Sequence, residues 1–385
     1  IFAEHAALSA FENDGSRDFD IGGLAELSAE DYDTLAPVQW PLAEGDAAGR
    51  ARFFAEGGFY TADRRARFVV PERPALAEAV SERFPYLLNT GRARDQWHTM
   101  TRTGSSPRLG SHRPVPYVEL HPDDAARLGL ATGDLARVET ALGSAVLETI
   151  ICDGQRPGSL FAPIHWSHET SSDGRVGALV HGLVDPFSGQ PDAKATPAAI
   201  TPVPLSQRGF VLARGPVALP SGTWWSRAAL EGGTATLFAT EAPAADVAAW
   251  TALLFPNTDV IEYADSADGI YRGAAFRNAD LVGCVFVGPA AARPQFEAVR
   301  TLLRDAGGGA IIDRRLVVSG QGLDGVAAAG PTVCACFSVG LAAIQAAIAG
   351  GGATPEAIGQ ALKAGTNCGS CVPELRRIIA RELAP

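Results

Sequence analysis

Hydrophobic and polar residues alternate along two stretches in the middle of the chain, Leu135–Thr140 and Ala145–Ile151. A period of two predicts strands with one buried face, and Leu142-Gly143 between them predicts a hairpin. Shorter apolar runs at Phe84–Asn89 and Ser159–Ile164 predict two further strands. Many short strands with one brief helix among them predict a closed β barrel.

That helix is predicted over Pro122–Leu128, because proline suits the first helical position and Asp123 and Asp124 suit the first turn. Gly129 follows the last apolar position and marks the turn after the helix. The predicted strands and this helix together place the barrel within residues 76–206.

The segments on either side of the barrel have different patterns. Residues 1–75 are rich in loops, with one helix predicted near Leu27–Leu35 and no convincing core. Residues 207–324 mix predicted strands with predicted helices in a small α/β region, whose role the sequence does not indicate, and residues 325–385 turn helical. The strands are Thr234–Ala239 and Leu281–Val287, and the helices are Ala244–Leu254 and Gln295–Arg304. The predicted fold class is α+β with several domains.

The composition argues against two classes of protein, those that bind nucleic acid and those that span a membrane. The chain has 385 residues, 46% of them hydrophobic, and a formal net charge of −11. An acidic chain without a basic run argues against nucleic acid as its partner. No apolar stretch approaches the roughly 18–20 residues of a membrane-spanning helix. Because the chain begins at Ile1 and not at Met, we expect it to be part of a longer protein.

Cysteine spacing supplies the first candidate chemistry. Cys334 and Cys336 are followed after 31 residues by Cys368 and Cys371, whereas Cys152 and Cys284 lie in apolar runs and are expected to be buried. Clustered cysteines in a chain of this size point to metal rather than to disulfides. Helices predicted to begin near Ser338 and Pro373 would direct their positive ends toward an anionic cluster. Iron–sulfur is favoured; zinc and reduced structural cysteines are the alternatives.

The segments Val333–Gly340 and Ala364–Leu375 resemble the bacterioferritin-associated-ferredoxin-like (BFD-like) domain. That resemblance implies a 2Fe–2S cluster with Cys334, Cys336, Cys368 and Cys371 as its ligands.

A second candidate site is the segment Asn89–Gly104, which combines a glycine turn, three arginines, a histidine and several hydroxyls. Such a loop suits a pyrophosphate, because arginines and hydroxyls can satisfy and neutralise its oxygens. From its chemistry alone, a solvated basic loop is the simpler interpretation.

This segment, together with His121–Asp134 and His165-Trp166, resembles the molybdopterin-dinucleotide-binding domain of the nitrate reductase and formate dehydrogenase superfamily. The resemblance implies a six-stranded double-psi barrel. It also implies cofactor contacts along the loop and at three later positions, although Gly177 departs from the asparagine common in relatives. These positions are Thr90, Gly91, Arg92, Ala93, Arg94, Asp95, Gln96, Trp97, His98, Thr99, Trp166, Gly177 and Lys194.

The two domains in one chain resemble the C-terminal part of cytoplasmic assimilatory nitrate reductases, whose molybdopterin oxidoreductase domain would end within residues 1–75. This resemblance implies reduction of nitrate to nitrite at a molybdenum bis-(molybdopterin guanine dinucleotide) centre. A ferredoxin or a flavoprotein would supply electrons through the 2Fe–2S cluster. The molybdenum ligand and a 4Fe–4S cluster would lie upstream, so no catalytic residue is assigned here and this part alone is expected to be inactive. The alternatives are a formate dehydrogenase-like molybdoenzyme and a non-catalytic electron-transfer module.

Overall fold

The computed structural model describes residues 1–55, 57–70, 75–186, 188–292, 296–300, 303, 314–319 and 330–384. The chain divides into two compact units, Ile1–Ala75 and Leu76–Pro385, and each is described by itself. Part of the predicted helix Gln295–Arg304 and the predicted boundary between residues 324 and 325 lie outside the described residues.

The first unit contains two short helices, α1 (Phe2–Ala10) and α2 (Ala29–Asp33), and a 3₁₀ turn at Gly22–Leu24. Helix α2 begins where the Ser28 side chain accepts a hydrogen bond from the Asp31 N–H, which satisfies one of the free donors of its first turn. Among the described residues of this unit, the buried hydrophobic side chains are Ala6 and Leu24. The unit therefore has little core, as its sequence indicates.

Residues 86–203 form a closed six-stranded barrel, which confirms the predicted architecture. Around the barrel the strands follow the order β1-β5-β2-β4-β3-β6. Strand β1 pairs in parallel with β5 and antiparallel with β6, and β2 pairs in parallel with β4. The strands are β1 (Tyr86–Gly91), β2 (Tyr117–Leu120), β3 (Leu135–Thr140), β4 (Gly143–Ile151), β5 (Ser159–Pro163) and β6 (Thr196–Val203).

The interior of the barrel is filled by aliphatic side chains that alternate with outward-facing residues. Leu88, Val138, Leu147 and Leu160 are among the fully buried residues of this core. Each buried leucine or valine contributes about 1.5–3 kcal/mol relative to an exposed one. This core supports the loops at the ends of the strands.

Helix α4 (Pro122–Leu128) follows β2 and confirms the predicted bounds. His121 caps its first turn, since its Nδ1 accepts a hydrogen bond from the Asp123 N–H, and Gly129 ends the helix in the left-handed conformation that glycine tolerates. Asp124 is buried and accepts a 2.7 Å hydrogen bond from the Gly158 N–H, which ties the helix to the turn before β5. A short helix, α3 (Pro107–Gly110), precedes β2.

The barrel is followed by a six-stranded antiparallel sheet with strand order β10-β11-β12-β7-β9-β8. Separate hydrophobic clusters cover its two faces, one of them involving helix α5. The sheet packs on the barrel where buried Trp224 donates through Nε1 to the Val146 carbonyl oxygen at 2.9 Å. Its elements are β7 (Gln207–Ala213), β8 (Trp224–Leu230), β9 (Gly233–Thr240), α5 (Ala244–Leu254), β10 (Asp259–Asp265), β11 (Ile270–Arg277) and β12 (Asp280–Pro289).

The C-terminal region is a small helical domain that opens on a two-stranded hairpin and has its own hydrophobic core. Two short helices, α6 (Phe296–Val299) and α7 (Arg314–Ser319), precede it along the chain. Among the described residues, no helix combines the length and the apolar character needed to cross a membrane. The elements of the domain are β13 (Thr332–Cys334), β14 (Val339–Gly340), α8 (Leu341–Ala349), α9 (Pro355–Leu362) and α10 (Val372–Glu382).

Some predicted details differ from the structure. The helix expected near Ser338 begins at Leu341, because Ser338 has a positive φ of 52° and the next two residues pair with β13. Cys152 is not fully buried, because it lies just beyond the end of β4, whereas Cys284 is buried as predicted.

Candidate functional site

The predicted cofactor loop begins at the end of strand β1. A side chain at Gly91 would place its Cβ 2.6 Å from Cε2 of Phe161 on β5, so any larger residue would require the Phe161 ring to move. The buried Thr90 donates through Oγ1 to the Ala193 carbonyl oxygen at 2.6 Å. This bond brings the residue before Lys194 to the start of the loop.

His165 holds the middle of the same loop. Its Nε2 accepts a hydrogen bond from the Ala93 N–H at 2.8 Å, and its Nδ1 lies 2.6 Å from the His98 carbonyl oxygen. Because Nε2 accepts, the proton of a neutral ring sits on Nδ1, which donates to His98. His165 is fully buried, and this burial lowers its pKa. The histidine is therefore a neutral bridge that fixes the loop.

We expect this bridge to make the stability of the chain depend on pH. The folded-state pKa of His165 is lowered, so below about pH 6.5 the unfolded chain takes up the proton more readily than the folded chain. The stability contributed by the neutral ring is fully present above about pH 6.5 and is lost as the pH falls toward the lowered pKa. Urea unfolding at about pH 5 and about pH 7.5 measures the difference.

Replacing His165 by glutamine should weaken this pH dependence, because the amide keeps one acceptor and one donor but does not titrate. His168→Gln, at the exposed histidine three residues later, is the matched control and should retain it. The same pH dependence in both variants would show that His165 is not the responsible group.

The three remaining predicted contacts lie in different surroundings. Trp166 is 2% exposed and packs with Met100 and Tyr117 in a buried cluster. Lys194 is exposed, and its backbone N–H donates to Asp192. Gly177 lies in the 3₁₀ turn Val176–Ala178, which packs on the start of β4. The structure thus brings the loop close to Trp166 and to the segment of Lys194.

Within the loop, four side chains are exposed and lie at its outer surface. The Arg92 guanidinium carbon lies 4.7 Å from the centre of the Trp97 ring, which is within the range of a cation–π contact. The Thr99 hydroxyl lies 3.0 Å from that of Thr101. These four residues are Arg92, Trp97, His98 and Thr99.

Other residues of the loop are engaged inside the protein. Buried Gln96 donates to the Leu109 carbonyl oxygen and accepts from the Thr103 hydroxyl. Arg94 and Asp95 contact each other and turn toward the C-terminal domain. The predicted loop therefore presents only part of its side chains to a ligand.

The four clustered cysteines are arranged as two pairs. The Sγ atoms of Cys336 and Cys368 are 3.4 Å apart, and the thiol of Cys371 neighbours that of Cys334. Cys334 and Cys371 are each 3% exposed, whereas Cys368 lies at the surface. The centre thus has a buried pair and an outer pair.

The two pairs differ in how their surroundings shift the pKa of the thiols. Hydrogen bonds from the Ser370 hydroxyl and N–H lower the pKa of the outer Cys368 thiol. Burial, followed by the neighbouring Cys334, raises the pKa of Cys371 to about 11. Thiolate at the buried pair therefore needs a compensating positive charge, which iron bound there would supply.

This donor set fits a 2Fe–2S cluster, because each iron of such a cluster takes two cysteine sulfurs. Among the residues that the structure describes, no three His, Cys, Asp or Glu side chains surround one point as ligands of a single ion would. The outer face of the loop also fits a pyrophosphate. It combines the Arg92 cation and the Thr99 hydroxyl.

Sequence reasoning missed two residues that join these sites. His112 Nδ1 lies 2.6 Å from Oδ2 of Asp95, and Glu374 Oε2 lies 2.6 Å from Nη1 of Arg94. Glu374 follows Cys371 by three residues, and this position in the sequence could have singled it out. Nothing in the sequence around His112 marks it.

Two regions of the chain match known family models. Residues 86–197 match the family model described as "Molydopterin dinucleotide binding domain". Residues 332–381 match the family model described as "BFD-like [2Fe-2S] binding domain". These matches confirm the two resemblances on which the site residues were predicted.

Three curated relatives of this chain are named as nitrate reductases. A nitrate reductase of Klebsiella oxytoca is 41% identical over 100% of this chain and 43% of its own length. A nitrate reductase of Shewanella frigidimarina is 36% identical over 55% of this chain and 25% of its own. The assimilatory nitrate reductase catalytic subunit of Bacillus subtilis is 27% identical over 47% of this chain and 26% of its own. The chain thus spans less than half the length of these relatives.

Proposed function

We propose that this chain, which carries a molybdopterin-dinucleotide-binding domain and a BFD-like 2Fe–2S domain, is the C-terminal part of a cytoplasmic assimilatory nitrate reductase. The whole enzyme would reduce nitrate to nitrite at a molybdenum bis-(molybdopterin guanine dinucleotide) centre. A ferredoxin or flavoprotein would supply electrons through the 2Fe–2S cluster, and an upstream part would carry a 4Fe–4S cluster.

The observation that carries this proposal is the presence of both domains in one chain and in direct contact. Arg94 of the dinucleotide loop donates to the Val333 carbonyl oxygen, one residue before Cys334, at 2.5 Å. The similarity to the Klebsiella oxytoca nitrate reductase extends across the whole chain, so it includes this junction.

When bound, the molybdenum cofactor supplies the two-electron chemistry that converts nitrate, two protons and two electrons to nitrite and water. The residues of this chain bind and orient it. Arg92 and Thr99 offer donors to a diphosphate. His165 holds their loop in place through its hydrogen bonds to the backbone of Ala93 and His98. The four cysteines hold the group that passes single electrons.

The full-length protein that contains this chain tests the proposal. After anaerobic purification, we expect molybdenum, iron from both a 2Fe–2S and a 4Fe–4S cluster, and reduction of nitrate by a reduced viologen dye. Nitrite is measured as the product, and a sample from tungstate-grown cells is the matched control, since tungsten replaces molybdenum.

Two results would contradict the proposal. Oxidation of formate without reduction of nitrate would assign the protein to the formate dehydrogenase-like enzymes. An iron–sulfur spectrum with no molybdenum would leave a non-catalytic electron-transfer module.

A further inference from the structure

The dinucleotide loop and the cluster domain are joined by one arginine. Arg94 donates through Nη2 to the Val333 carbonyl oxygen at 2.5 Å, and its Nη1 lies 2.6 Å from Oε2 of Glu374. Val333 precedes Cys334, and Glu374 follows Cys371 by three residues. A single side chain of the loop thus holds both segments that carry the buried cysteine pair.

A histidine makes a second link across the same junction. His112 Nδ1 lies 2.6 Å from Asp95 Oδ2, and His112 Nε2 lies 3.5 Å from Glu374 Oε2. Asp95 also contacts Arg94 at 3.3 Å, so the four side chains form a closed ring of contacts.

These groups are well shielded from water. The side chains of Arg94, Asp95, His112 and Glu374 are 19%, 8%, 11% and 22% exposed. Burial works to raise the pKa of Glu374, but His112 and Arg94 outweigh it and lower the pKa to about 2. Removing one partner from such a ring leaves an uncompensated buried charge, which is costly.

We propose that Arg94, Asp95, His112 and Glu374 form an interdomain clamp that fixes the cluster domain on the dinucleotide loop with its buried cysteine pair facing that loop. In this arrangement Arg94 and Asp95 are positioning residues that hold the loop and the cluster domain together. The outer pair, Cys336 and Cys368, stays available to an electron donor. Only the identity of the group on the loop rests on the proposed function; the clamp itself does not.

Replacing Glu374 by glutamine tests the clamp in the full-length protein, because it removes the charge and keeps the length of the side chain. Glu382→Gln is the matched control, since Glu382 lies on the same helix and contacts Gln345 and Arg381. We expect faster amide hydrogen exchange over 90–113 and 331–336 in Glu374→Gln only. Equal exchange in the two variants would overturn the clamp, whatever the enzyme reduces.

The second readout is electron transfer. In Glu374→Gln, reoxidation of the prereduced cluster by nitrate should slow severalfold relative to Glu382→Gln, because the cluster domain is no longer held at a fixed position on the loop. The KM for nitrate, the activity with viologen dye and the EPR signal of the cluster should be unchanged. An unaltered reoxidation rate would overturn the positioning role.

A double-mutant cycle keeps the proposal testable if Glu374→Gln folds poorly. Arg94→Gln and Glu374→Gln share one contact, so the loss of stability in the double variant should be smaller than the sum of the single losses. Additive losses would show that the two residues act independently and would overturn the clamp.

Discussion

Replacing Cys368 by serine is expected to abolish the reduction of nitrate by the physiological electron donor. Cys368 is the exposed member of the outer pair, with its Sγ 3.4 Å from that of Cys336. Removing its thiolate takes away one of the four sulfurs that would hold the cluster. Because the proposed path of electrons begins at this cluster, the donor would have no acceptor.

The measurement compares two reductants in the full-length enzyme. Activity with a small viologen dye, which can reduce the molybdenum side directly, should largely survive in Cys368→Ser. Cys152→Ser is the matched control, because Cys152 lies in the barrel outside the cluster and should keep both activities. Equal loss of both activities in Cys368→Ser, with molybdenum still bound, would contradict the role of the cluster as the place where electrons enter.

Replacing Arg92 by alanine is expected to lower retention of the molybdenum cofactor. Arg92 is exposed at the outer face of the loop, where its guanidinium stacks on Trp97 and its charge can reach a ligand. Loss of a charge-assisted hydrogen bond to a phosphate costs about 2 kcal/mol. This corresponds to roughly thirtyfold weaker binding.

Molybdenum content per chain after gel filtration measures this loss. Arg102→Ala is the matched control, since Arg102 is an exposed arginine just beyond the predicted cofactor residues. Molybdenum content in Arg92→Ala equal to that of the control would show that Arg92 does not contribute to binding of the cofactor.

Local sequence signals predicted some helices and strands accurately and failed to indicate others. Helix α4 matches its prediction because a proline and a glycine mark its two ends. Strand β6 was not predicted, because Pro197 and Pro202 argue against a strand that pairs on both sides, and only the closure of the barrel places it there. Strand β2 was missed because it has four residues, Tyr117–Leu120, too few to show a period.

Part of the candidate site could likewise be predicted from the sequence, and part could not. The cysteine spacing identified the cluster, since its ligands are close in sequence within each segment. The division of the loop into an outer face and a clamped face could not be predicted, because Glu374 approaches the loop from a distant segment and nothing in the sequence marks His112. That division is a property of the fold and not of local sequence.

The order of strands around the barrel also has a consequence for synthesis on the ribosome. Strand β1, which leads into the cofactor loop, pairs with β5 and β6, and the buried threonine of the loop bonds to the segment just before β6. A nascent chain that ends before Thr196 would leave β1 and β3 each with an unpaired edge. The hydrogen-bond partners that fix the start of the cofactor loop are therefore complete only after the last barrel strand has emerged.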